Sequence, residues 1–247
     1  MKGRILWLQF FWWSTVLLAG GRIIYPAKGN INLDEGTVEA WVRLDFEPQQ
    51  TSQEYKVLLP LFQFTDPEAK VNIVIAYSCP AGSQACWYLS LDSGGEKLLR
   101  LSALPRGWQK GEWHQIALTW KANQAKLYLD GKLVSEAKSN QPFKGEVKSG
   151  EIFIGDRWTS DKVKTEAVID ELRISNVERK VEELGFSGRL KPDPFTLLLE
   201  DFEQLAGEGQ EIRTKPVVCS SHSGEKFGRV SGGKSTTGKF GQGLSLY

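Results

Sequence analysis

The sequence predicts an all-β fold built from two packed antiparallel sheets, and three observations carry that expectation. Strand-length runs alternate apolar and polar residues, an Asp-Gly turn joins two adjacent runs, and no segment between Ile23 and Asn176 keeps a helical period. The composition agrees, since 25 Gly, 10 Pro and 9 Trp against 1 Met suit a turn-rich β protein. With 31 Lys and Arg against 30 Asp and Glu, the formal charge of +1 offers no electrostatic reason to bind nucleic acid.

Along the chain, Lys2 and Arg4 precede an apolar run from Ile5 to Leu18, and Ala19-Gly20-Gly21 supplies small residues where a peptidase could cut. Residues 1–21 therefore read as a secretory signal. The run is short against the roughly 20 residues of a membrane-spanning helix, but its aromatic content leaves an uncleaved anchor open, the one membrane contact expected. The first strand, "GTVEAWVRL", sets Val38, Ala40, Val42 and Leu44 on one face and Thr37, Glu39, Trp41 and Arg43 on the other. The runs "VNIVIAY" and "WYLSLDS" flank a Pro/Gly loop that carries Cys79 and Cys86 at its ends. In an exported chain these two cysteines are expected to form a disulfide. In "WHQIALTW", His114, Ile116, Leu118 and Trp120 share a face opposite Trp113, Gln115, Ala117 and Thr119. After Leu127 and Leu129, Asp130-Gly131 marks a hairpin, because a type I′ turn needs positive φ at both central residues. "EIFIGDRW" and "AVIDELRIS" complete the set, and "SNVERKVEEL" reads as a short helix with Asn176 as N-cap.

Pro192 and Pro194 mark a change of texture, after which "FTLLLEDFE" and "GKFGQGLSLY" again look like strands. The expected layout is a jelly-roll domain over residues 22–190. Residues 191–247 then form either a linker and the start of a second repeat, or strands that complete the first domain.

The order "GTVEAWVRL", "GEWHQIALTW", "AKLYLDGKLV", "IFIGD", "AVIDELRIS" resembles the successive strands of the laminin G-like jelly roll, within the concanavalin A-like lectin/glucanase superfamily, from about Tyr25 to Val177. The resemblance implies a concanavalin A-like sandwich that binds glycans or extracellular proteins at a cell surface. It also requires a search for the paired carboxylates of the superfamily's retaining glucanases. The nearest string, "EAVIDE", spaces Glu166, Asp170 and Glu171 wrongly, and strand alternation sends Glu171 to the face opposite Asp170. His114 lies on an apolar strand face and no Gly-x-Ser-x-Gly elbow accompanies it, so a hydrogen-bonded core-edge histidine is expected. No catalytic residue is assigned.

By alternation Asp170 shares a face with Val168, Leu172 and Ile174, where a carboxylate needs a partner. Loop N–H groups or Arg157 would serve. So would the structural calcium that the resemblance implies, since calcium takes carboxylate and carbonyl oxygens. For ligand binding the candidates are Trp41, Arg43, Trp113, Tyr128 and Trp158, with burial the competing reading for Trp41. The function expected is an exported, non-catalytic binding module. The alternatives are a divergent glycoside hydrolase, an accessory domain of a larger enzyme, or a purely structural repeat.

Overall fold

The computed structural model describes residues 21–48, 57–79, 84, 86–155, 166–206, 212–224 and 226–246. The segment 1–20, Arg157, Trp158 and the side chain of Cys79 lie outside the described residues. Numbered along the chain, the strands begin with β1 (Arg22–Pro26), β2 (Glu35–Leu44), β3 (Val57–Asp66), β4 (Val71–Cys79), β5 (Cys86–Ser93) and β6 (Glu96–Ala103). They continue as β7 (Trp113–Lys121), β8 (Gln124–Leu129), β9 (Lys132–Lys138), β10 (Glu151–Gly155) and β11 (Ala167–Ser175). The last group is β12 (Thr196–Glu200), β13 (Leu205–Ala206), β14 (Ile212–Thr214), β15 (Val218–Cys219), β16 (Gly228–Ser231), β17 (Lys234–Thr237) and β18 (Gln242–Ser245).

They form two antiparallel sheets. The first runs β13-β14-β16-β1-β10-β3-β4-β5-β6, and the second β15-β12-β11-β2-β7-β8-β9, with the β17–β18 hairpin attached to β11. Alternation decides which side chains meet between them. Val38 lies opposite Leu118, and Ala40 opposite Ile116; on the next strand Leu127 and Leu129 face the same residues. These pack against Phe62, Phe64, Ile73, Ile75, Leu89 and Leu101 of the first sheet in one continuous core. Trp120 fills the space over Gly36, where an added methyl would come within 2.3 Å of the indole. Asp130 and Gly131 take φ of 50° and 74°, as the hairpin turn requires.

The C-terminal strands belong to this body. β12 pairs with β11, β16 with β1, and β18 with β11. Leu198, Phe202, Val230, Leu244 and Leu246 enter the same core. The tie is also polar. Tyr25 of β1 donates its hydroxyl proton to Glu200 of β12, which also accepts from Phe202 N (2.8 Å) and from Thr214 Oγ1 of β14 (3.0 Å). Burial between the sheets pushes the Glu200 carboxyl up from the usual 4.5 to about 7.

The helix expected in "SNVERKVEEL" is corrected. Only a 3-10 turn, Val181–Glu183, forms there. A ten-residue helix has little stability of its own, and Glu178 and Arg179 instead reach in different directions, to Lys126 and to Ser175 and Asp193. In the β4–β5 ladder Cys86 lies opposite Ser78 rather than Cys79.

Two outcomes follow. Removing residues 191–247 takes partners from β1 and β11 and opens the core, so cooperative thermal unfolding is expected to disappear; an unchanged midpoint would refute this. Glu200 binds its proton more tightly when folded, so its contribution is full below about pH 4.5 and fades as pH rises through 7, by up to about 3 kcal/mol. Glu200→Gln carries no such proton, and its midpoint is expected to fall less than the wild type's between pH 5 and pH 8. Equal slopes would remove the assignment.

Candidate functional site

The outer face of the second sheet carries charge that the chain must cover. Glu39 of β2 points away from the core and is fully buried. Its oxygens accept from Arg173 Nε (2.8 Å) and Nη2 (2.6 Å), Gln115 Nε2 (2.9 Å) and Gly185 N (2.8 Å). Arg173 in turn donates to the carbonyls of Lys191 (2.8 Å) and Glu183 (3.2 Å). One buried ion pair thus draws residues 177–195 across the sheet as a strap. A second pair fixes its far end: Arg179 donates to Ser175 Oγ (2.8 Å) and to Asp193 (2.8 Å), whose carboxyl those hydrogen bonds pull down to about 2. Thr37 Oγ1 accepts from Arg179 N and donates to Val177 O, closing the strap onto β2.

Two grooves open along the strap, one against β7–β9 and one between the strap's own limbs. One, of about 730 Å³, is lined by Lys121, Lys126, Tyr128, Leu133, Glu178 and Val181 among others. The other, of about 490 Å³, has Lys191, Pro192, Asp193 and Phe195 in its wall, with Glu178, Arg179 and Lys180 shared between the two. Ion pairs hold polar atoms at the rim of the larger groove, Lys126 with Glu178 (2.8 Å) and Lys121 with Glu35 (2.9 Å). Large apolar groups stand exposed nearby: Leu133 at 50%, Phe195 at 49% and Phe186 at 40%. The Phe186 ring lies so close to Gly131, in the larger groove's wall, that an added methyl there would meet it at 2.9 Å.

Of the residues singled out from sequence, Tyr128 lies in the wall of the larger groove, packed with Ala117 and Leu184. Arg43 and Trp113 meet elsewhere on the same sheet, the guanidinium 5.3 Å from the ring centroid and also bound to Asp45. Trp41 is buried: Lys239 Nζ lies 3.9 Å from its ring centroid, Phe240 meets it edge-on, and its Nε1 donates to Gly188 O. His114 stacks on Trp108 at 3.9 Å and binds Asp130 through Nδ1 (2.9 Å). Phe186 and Phe195 were not singled out. Their signal was an aromatic residue inside polar, Gly- or Pro-rich connections, "LGFSG" and "DPFT".

The alternation argument fails at Asp170 and Glu171. A β-bulge interrupts β11 between Asp170 and Leu172, with Glu171 at φ 46°. Leu172 and Ile174 face the core, while Asp170 lies opposite Trp41 on the outer side. Glu171 and Asp170 meet the same cover, since Arg189, which pairs with Glu171, also donates to the carbonyl of Phe240, whose N–H binds Asp170. Both are buried. Asp170 Oδ2 accepts from Lys239 N (2.6 Å) and Phe240 N (2.9 Å), and Glu171 from Leu190 N. Burial raises both carboxyls, Glu171 to about 7, against the pull of these N–H donors and of Arg189. Asp170 Oδ2 is committed to N–H donors and Glu171 faces Arg189, while Asp170 Oδ1 is buried without a hydrogen-bond partner; no cluster of three metal-ligating side chains exists among the described residues.

Arg173→Leu leaves Glu39 buried without its counter-ion, with an expected loss of about 3 to 5 kcal/mol in urea denaturation. Adding Glu39→Leu to that variant is expected to restore part of the loss. A single variant as stable as the wild type would contradict the strap's dependence on this pair.

A sequence profile described as the concanavalin A-like lectin/glucanases superfamily matches residues 19–185. No curated protein sequence matches the chain. Among solved structures, a candidate carbohydrate-binding protein from Bacteroides ovatus is similar at TM-score 0.55 and 16% identity, over 86% of this chain and 56% of that one. The enzymatically active domain of tailspike protein 2 from bacteriophage CBA120 is similar at TM-score 0.50 and 14% identity, over 66% of this chain and 25% of that one. The chain therefore spans a little over half the length of the first and a quarter of the second.

Proposed function

The chain belongs to the concanavalin A-like lectin/glucanase superfamily, and we propose that it is an exported, non-catalytic module that binds a glycan along the strap of its second sheet. The observation that carries this reading is the pairing of exposed Phe186 and Phe195 with two open grooves whose polar rims are held by ion pairs. Sugars offer C–H faces that pack on aromatic rings and hydroxyls that bind fixed carboxylates and ammonium groups. Volumes of about 730 and 490 Å³ fall in the range of small-ligand clefts, roughly 300 to 1,000 Å³. The carbohydrate-binding description of the Bacteroides ovatus protein supports the same ligand class. A hydrolytic role draws no support from Asp170 and Glu171, which lie under the cover and accept backbone N–H bonds. The signal-like segment 1–21 supports a location outside the cytoplasm, where Cys79 and Cys86 would be free to pair.

Glycan-array screening followed by calorimetry tests the reading. Phe186→Ala and Phe195→Ala are each expected to weaken the best ligand about tenfold or more, a factor of ten being about 1.4 kcal/mol. Lys126→Ala is expected to act in the same direction. A glycan bound equally well by all three variants would move the site elsewhere. An array with no glycan bound, but an extracellular protein captured by the same face, would replace the ligand class.

A further inference from the structure

Arg189, in the strap, stands where oxygens from three separate stretches converge. Its Nε lies 2.5 Å from Glu171 Oε1 in the β11 bulge. Its Nη2 lies 2.7 Å from Glu203 Oε1, just beyond β12, and 3.0 Å from the carbonyl oxygen of Phe240 in the β17–β18 turn. That turn is seated tightly on the same group, for a methyl at Gly241 would come within 1.8 Å of Glu203 Oε1. Gln242 N also donates to Glu203 Oε1 (3.3 Å), and Asp170 accepts two N–H bonds from the turn. Two carboxylates and a backbone carbonyl are the donor types that calcium takes from proteins. Here a guanidinium occupies their centre. Its planar fork bonds carboxylates in fixed geometry and keeps its charge at every working pH.

We infer that Arg189 is a built-in cation, tying the bulge, the strap and the C-terminal hairpin together as a bound metal would, and that the folded module needs no calcium. The consequence reaches Trp41, because the turn that Arg189 holds is the one that places Lys239 and Phe240 over that ring. The inference does not depend on the glycan reading.

The test is a set of thermal midpoints and calorimetric titrations at about pH 8, on the full chain. Wild type is expected to give no saturable heat with calcium, and a midpoint that moves by less than about 1 °C with excess calcium or chelator. Arg189→Ala is expected to melt about 3 to 6 °C lower, the discount for an exposed pair included. Guanidinium ion at about 10 mM should raise the variant's midpoint while leaving the wild type's unchanged or lower. Should Arg189→Ala fail to fold, Glu203→Gln is expected to show a smaller fall of the same sign. Saturable calcium binding by wild type that Asp170→Asn abolishes would overturn the inference. So would a variant midpoint equal to wild type, or a loss that guanidinium does not reverse.

Discussion

A carboxylate fully buried on the outside of a sheet has to be answered by donors, and Glu39 sets that requirement for the second sheet. Removing such a group from water costs several kcal/mol unless its lone pairs are filled. Arg173, Gln115 and Gly185 N fill them, and only Gln115 and Arg173 come from strands adjacent to β2. The remaining donor has to be brought in by the chain after β11. Residues 177–195 therefore lie across the sheet instead of leaving it, and the grooves along them are by-products of that crossing. A separate commitment explains why the segment that reads as a short helix does not form one. Its arginine and glutamate side chains are committed to partners on different sides, which one helix face could not serve.

Closure of the sandwich follows a related logic. An unpaired strand edge exposes donors and acceptors that invite other chains. β12, β16 and β18 supply partners for β11 and β1 from the C-terminal side. Their apolar residues enter the common core, and the Tyr25–Glu200 contact joins the layers through groups that neither sheet could bury alone.

The inner faces were legible because burial on one side of a strand writes itself as a period of two. Val38, Ala40 and Val42, or Ile116, Leu118 and Trp120, required nothing beyond that period, and Asp-Gly is among the few pairs that suit the hairpin turn. β3 was harder, since Pro60 adjoins a shift of register that breaks its alternation. The candidate site was legible only in part. Tyr128 was visible as a polar-face aromatic, but Phe186 and Phe195 sit in connections, where no period indicates which way a ring points.

By itself, the sequence determined the all-β class, the inward faces of β2, β7 and β8 and the hairpin at Asp130-Gly131, because each depends on neighbours in the chain and on the burial of apolar groups away from water. Tertiary structure decided the rest. The bulge that turns Asp170 outward, the Lys239 that covers Trp41 and the meeting of Glu171, Arg189 and Glu203 all join residues far apart along the chain. Electrostatic partners are chosen by proximity in space, and a local pattern of side chains carries no record of that choice.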